Sequence, residues 1–244
     1  MIDSMTASQL SVSALILAIA YMVRGVAGFG SGLIAIPILT LMMPLSVVVP
    51  LMIILDYIAS LSHDLSNRNE IRWKEILPLI PFSVAGVVVA LFFLTKSDAL
   101  LLTKALGVFI ILFALYTLSG ITPKAGAARG WGVLAGFSGG LIGTLFGTGG
   151  PLYVTYFKAR GLEKAAFRTT LAVTFLLDGA GRIVGFASTG FFNQGFFIMI
   201  AMALPVMAVF LYIGGHIHTK ITQIQFQRAI SILLILSRTV LLLK

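Results

Sequence analysis

A chain of 244 residues that is 59% hydrophobic and 10% charged is not an ordinary soluble domain, in which about a quarter of the residues carry charge. Its long apolar runs leave no room for a separate soluble domain, and the composition is that of an all-α integral membrane protein. The net charge of +9 fits Lys and Arg gathered in cytoplasmic loops rather than nucleic-acid binding, and the lack of Cys excludes disulfides, thiolate metal sites and cysteine catalysis.

The N-terminus carries Asp3 and no Lys or Arg ahead of its apolar run, unlike a cationic signal peptide. Residues 8–43 form the first apolar segment. Leu10–Val23 has a helical pattern, Arg24–Gly32 holds four glycines, and Leu33–Met43 is apolar again. Glycine this dense breaks a helix, at roughly 1 kcal/mol per residue against Ala, and each arm falls short of the ~20 residues that cross a bilayer. Six ordinary spans are predicted at 44–62, 75–95, 99–118, 166–187, 194–214 and 225–243. Between the third and fourth lies a second interrupted segment, 131–157, with the run Phe146-Gly147-Thr148-Gly149-Gly150-Pro151.

Charge decides how that second segment runs. If 131–157 crosses once, the loop and tail Lys and Arg split six to six between the two sides. If it is a re-entrant hairpin, ten fall on one side, including Arg68, Arg72, Lys124, Arg129, Arg160 and Lys220, and only Lys96 and Lys244 fall on the other. The positive-inside rule selects the hairpin. Trp73 and Trp131 then lie at the cytoplasmic interface, where indole rings are favoured.

The first segment is assigned as a hairpin by analogy. The expected fold is an inverted repeat, each half a re-entrant or broken helical hairpin plus three transmembrane helices. Residues 1–122 make the first repeat (hairpin 8–43, spans 44–62, 75–95 and 99–118). Residues 123–244 make the second (hairpin 131–157, spans 166–187, 194–214 and 225–243). Leu55-Asp56 and Leu177-Asp178 occupy matching places in the spans after each hairpin. Both termini are expected outside the cytoplasm and the basic loops inside it.

Paired helix breaks in the two halves of a membrane protein point to a transporter binding site. Where a half-helix starts, backbone N–H groups lack partners and the helix end carries about half a positive charge. Gly30, Ser31 and Gly32 in the first turn, and Gly147, Thr148, Gly149 and Gly150 in the second, are the predicted substrate-binding residues. They would hold a small anion between two facing hairpins near the midplane. Pro151 suits the first turn of the outgoing helix. Arg24, beside the first turn, either supplies full charge to the anion or snorkels to the interface.

Asp56, Asp178 and Arg182 fall within predicted spans, where a charge at the bilayer centre costs ~2.5–3.5 kcal/mol. Asp178 and Arg182 are spaced to pair along one helix face, as a structural ion pair or a functional one. Asp56 has no local cation and is the better candidate for a protonatable group. Arg168, Arg228 and Arg238 read as interfacial anchors, as do His63, His216 and His218, and no metal-ligand spacing occurs. Gly132, Gly136 and Gly140 read as a packing face, which leaves a homodimer open. Gly28–Gly32 approaches the pattern of intramembrane serine proteases, but Phe29 stands where that pattern needs Gly and no mid-span His is available as base. No catalytic residue, cofactor or metal is expected.

The chain resembles the sulfite exporter TauE/SafE family. The likeness lies in Arg24–Pro37 (R-G-V-A-G-F-G-S-G-L-I-A-I-P), Gly139–Pro151 (G-G-L-I-G-T-L-F-G-T-G-G-P) and Phe167–Leu177 (F-R-T-T-L-A-V-T-F-L-L). The resemblance implies transport, usually outward, of small sulfur-containing anions such as sulfite or organosulfonates, and a place in the cell inner membrane. An anion channel and a cation-coupled transporter of another small solute are the alternatives.

Overall fold

The computed structural model describes residues 6–61, 68–119, 126–192 and 194–217. Among them every regular element is helical. The expected span 225–243, with Arg228 and Arg238, lies outside the described residues, as do His63, Lys124, His218, Lys220 and Lys244.

Helix α1 (Ala7–Ala27) opens on a capping box, in which the Thr6 hydroxyl accepts from the Gln9 N–H and the Gln9 side chain accepts from the Thr6 N–H. It runs for 21 residues, and Ala7–Val26 is long and apolar enough to cross a bilayer. The sequence expectation of a short arm over Leu10–Val23 is therefore corrected. The cap extends the start, and Gly25 does not interrupt the end because its bare Cα is a packing contact. A methyl group there would strike the backbone of Leu211 and Gly214–Gly215. The break falls only at Gly28–Gly30, where Gly28 and Gly30 take φ of +82° and +101°, values that L-residues with a Cβ avoid. Helix α2 (Ser31–Leu39) follows, then α3 (Leu45–Leu61).

The remaining helices are α4 (Trp73–Ile76), α5 (Leu79–Lys96), α6 (Ala99–Leu118), α7 (Trp131–Phe146), α8 (Gly150–Ala159), α9 (Lys164–Ser188) and α10 (Gln194–His216). The predicted span 75–95 is interrupted near its start, where Pro78 follows α4 and cannot donate a helical hydrogen bond. Among the described residues five stretches are long and apolar enough to span: Ala7–Val26, Trp73–Lys96, Ala99–Tyr116, Ala165–Ser188 and Gly195–His216.

Among the described residues the helices group into two compact units, one holding α1, α2, α6 and α10, the other α4, α5, α7, α8 and α9. In the first unit α1 packs on α2 and on α10. The α1–α10 contact is backbone to backbone, since a methyl at Gly214 would meet the Met22 carbonyl.

In the second unit α5 and α7 form the most extensive contact, with α9 and α8 completing it. Gly132 lies at Pro78, Gly136 at Leu79 and Gly140 at Ser83, and from the other side Gly86 lies at Phe137 and Leu141. The matched order shows that α5 and α7 run in the same direction. The Gly132-Gly136-Gly140 stripe is a packing face within the chain, so it supplies no argument for a dimer. Helix α9 also runs with α5. Arg72 N–H donates to the Thr170 hydroxyl at one end (3.0 Å), Ser83 meets Asp178 midway, and Val87 and Leu91 meet Gly185 beyond.

Polarity is inverted relative to a soluble fold. Val84, Val88 and Phe92 make an exposed apolar stripe on α5, while Ser83, Thr144, Thr148, Asp178 and Arg182 are buried. An apolar exterior suits lipid, and buried polar groups are where a membrane protein keeps its function.

Candidate substrate site at the α7–α8 turn

Helices α7 and α8 form a closed hairpin. Its outer ends meet, because the Gly126 and Ala127 N–H groups both donate to the Ala159 carbonyl (2.9 and 3.0 Å), and Arg160 donates back to the Ala127 carbonyl. Both ends are pinned to one buried carboxylate at the start of the α4–α5 stretch. Glu75 accepts from Arg129 Nε (3.0 Å), from Arg160 Nε (2.7 Å) and Nη2 (3.0 Å), and from the Tyr156 hydroxyl (3.0 Å). The hydrogen bond to Glu75 raises the Arg160 guanidinium above its ordinary pKa. Trp73 and Trp131 flank this cluster and are exposed.

The inner end of the hairpin is the turn Gly147–Gly149. Gly147 caps α7 in the left-handed region (φ +63°), and α8 starts at Gly150 with Pro151 in its first turn. No side chain caps the α8 N-terminus; Pro151 has no N–H and the Leu152 N–H donates to the Gly149 carbonyl (3.1 Å), so the helix end presents its partial positive charge at Gly149–Gly150. Beside it lies Arg182. A methyl at Gly149 would come within 2.7 Å of Arg182 Nη2, and one at Gly143 would collide with the guanidinium. The glycines thus make room for a cation as well as for a turn. Arg182 Nη2 donates to the Gly139 carbonyl (3.1 Å) and pairs with Asp178. Asp178 accepts a second hydrogen bond from Ser83, and the Tyr153 hydroxyl lies 3.4 Å from the Ser83 hydroxyl.

Three donors near this turn have no acceptor. The Thr144 and Thr148 hydroxyls and Arg182 Nε are buried and without a hydrogen-bond partner. Buried polar groups are normally satisfied, and each orphan calls for a reason.

The structure brings Thr148, Gly149 and Gly150 together with Asp178 and Arg182, which the sequence reading had treated separately. In the first turn, Gly30 is the N-cap of α2 and Ser31 and Gly32 are buried at its start. Arg24 is buried, and its Nη1 donates to the Ser31 hydroxyl (3.0 Å). It therefore does not snorkel to an interface. Asp56 is half-buried on α3.

Sequence reasoning missed Ser83 and Tyr153, neither of which carries a distinguishing pattern, and gave Gly139 and Gly143 no place at the site although both lie in the Gly139–Pro151 motif. Glu75 was also missed. An acid directly after the basic stretch Arg72–Lys74, at the head of an apolar run, is a visible signal.

An all-helical chain with buried charge beside a glycine turn suits a solute transporter, and comparison with known proteins gives the family. The family model for sulfite exporter TauE/SafE matches residues 13–241. The chain belongs to the sulfite exporter TauE/SafE family. It is a multi-pass membrane transporter, not an enzyme. Two relatives of this TauE/SafE chain illustrate the likeness. The "Probable inner membrane transporter protein TsaS" of Comamonas testosteroni is 28% identical over 191 residues, covering 77% of this chain and 79% of the relative. The "Probable sulfite/organosulfonate exporter TauE" of Cupriavidus necator is 26% identical over 199 residues, covering 78% and 76%. No solved structure matches the chain.

Proposed function

We propose that the protein exports a small sulfur oxyanion or organosulfonate across the inner membrane. The observation that carries this reading is the buried, partnerless Thr148 hydroxyl at the uncapped α8 N-terminus beside Arg182. Gly147, Thr148, Gly149 and Gly150 supply donors at this turn, and Gly30, Ser31 and Gly32 with Arg24 supply them at the other. The printed name of the Cupriavidus relative supports the substrate class. An inside-negative potential favours anion efflux by ~2.3 kcal/mol per charge per 100 mV, so facilitated export needs no further driving force.

The proposed exporter is a carrier rather than a channel. The architecture of the proposal is an inverted repeat, each half opening on a re-entrant or broken hairpin, with cytoplasmic basic loops. It is supported by the packing of α1 on α10 and of α7 on α5, which joins the first arm of each hairpin to the second span of the other half. Asp56, half-buried on α3, is the residue to which this reading assigns any proton coupling.

The test is flux of labelled sulfite and methanesulfonate in proteoliposomes. Wild-type protein should show saturable counterflow, which a pore does not give. Thr148→Ala should lower it about tenfold, the scale of a hydrogen bond to a charged group, and Thr148→Ser should restore it. Equal flux in all three proteins would remove Thr148 from the site. A pH-driven component that survives Asp56→Asn would remove the coupling assignment.

A further inference from the structure

Asp178 and Arg182 invite a more specific statement than a structural ion pair. Arg182 is wedged against Gly143 and Gly149, at the N-terminus of α8. Two sources of positive potential, a full guanidinium charge and a helix end worth about half a charge, therefore lie side by side in a buried place. One carboxylate answers their charge, with the Gly139 carbonyl as a second, neutral acceptor for Arg182 Nη2. Asp178 takes Arg182 Nη2 and the Ser83 hydroxyl, while Arg182 Nε and the Thr148 hydroxyl go unused. The donors exceed the acceptors, and the surplus sits where the helix end is uncapped.

We propose that Asp178 is a tethered stand-in for the transported anion. It neutralises Arg182 in the substrate-free carrier and gives way to a small oxyanion bound by Arg182, Thr148 and the positive end of α8 at Gly150. This rests on reading the protein as an anion transporter. It assigns Arg182 as a substrate-contacting residue and Asp178 as its internal competitor.

The physical reason for a competitor is that a bare arginine in a membrane interior is strongly disfavoured. A site that kept its charge uncompensated would bind an anion tightly and release it slowly. An internal carboxylate lowers affinity by offering Arg182 an alternative partner, and so raises turnover. Guanidinium suits the exchange because its planar fork can hold one acceptor while another arrives. The glycines at 143 and 149 leave that fork against the turn, whereas any side chain there would push it away.

The experiment measures equilibrium binding and exchange of labelled sulfite and methanesulfonate, with bicarbonate and nitrate as sulfur-free probes. It uses the full chain in lipid nanodiscs, wild type against Asp178→Asn and Arg182→Lys. Asp178→Asn should bind the anion about tenfold or more tightly, the size of one hydrogen bond to a charged group, and exchange it more slowly. Arg182→Lys keeps the charge pair but loses the fork, and should bind about tenfold more weakly at an unchanged melting temperature.

Unchanged or weaker binding by folded Asp178→Asn overturns the proposal. If that variant does not fold, unchanged affinity in Arg182→Lys overturns it and the tenfold loss upholds it. Binding of only the sulfur-free anions, still tightened by Asp178→Asn, upholds the stand-in and rejects the sulfur substrate. Binding of sulfite without either effect rejects the stand-in alone, and binding of no probe by any of the proteins rejects both.

Discussion

Arg129 and Arg160 stand at the two ends of the α7–α8 hairpin and donate to the same carboxylate, that of Glu75. The two contacts are unequal. The Arg129 side chain is 58% exposed and that of Arg160 only 17%, and Arg160 makes two of the hydrogen bonds.

Removal of the shared acceptor should therefore be costly. Glu75→Ala leaves buried donors and a guanidinium without their partner, a loss of about 3–5 kcal/mol for a broken buried pair. Arg129→Ala removes a mostly exposed pair and should cost about 0–1 kcal/mol. Thermal unfolding in detergent, followed by loss of helical circular dichroism, should rank wild type near Arg129→Ala and both well above Glu75→Ala. Equal melting of Glu75→Ala and wild type would contradict the role of the cluster.

The glycine contacts give a second ranking. A methyl at Gly140 would collide with the Ser83 carbonyl, and one at Gly86 with the Phe137 carbonyl. Backbone cannot yield as a side chain tip can, so Gly140→Ala and Gly86→Ala should separate α5 from α7 and abolish folded yield in size-exclusion chromatography. Gly181, inside α9, meets nothing within 4 Å. Gly181→Ala should raise stability by about 0.5–1 kcal/mol through the helical preference of Ala.

The direction of the hairpin is open to a labelling test, since the chain has no native Cys. Cys introduced singly at Lys74 and at Lys158 should react with a membrane-impermeant maleimide from the same side. A Cys at Lys96, the far end of α5, should react only from the other. Opposite-side labelling of positions 74 and 158 would refute the re-entrant reading.

Much of this architecture is legible in the sequence, for reasons that differ by element. The spans at 99–118 and 194–214 show as long apolar runs with a single charge, Lys104, and α6 and α10 lie where they fall. The turn at Gly147–Gly149 shows because its glycines stand together and Pro151 follows. The length of α1 does not show, because Gly25 looks like part of the break and is instead a point of contact with α10. Nor does the Arg182 site. An i, i+4 pair on α9 states only that Asp178 and Arg182 can meet, and its position at the α8 N-terminus depends on Gly143 and Gly149 in a segment far away in the chain. Ser83 is invisible for the same reason, since its partner is fixed by three-dimensional register.

The contact between α1 and α10, Gly25 against Leu211 and Gly214 against Met22, carries a consequence for biosynthesis. Helix α1 is made long before α10, so it meets this backbone partner only when nearly the entire described chain has been made. Until then the surface around Gly25 lacks the Leu211 and Gly214–Gly215 backbone that packs against it. Assembly of that unit is thus a late event however early α1 inserts, and its non-local pairing is of the kind that slows folding and exposes a chain to misassembly.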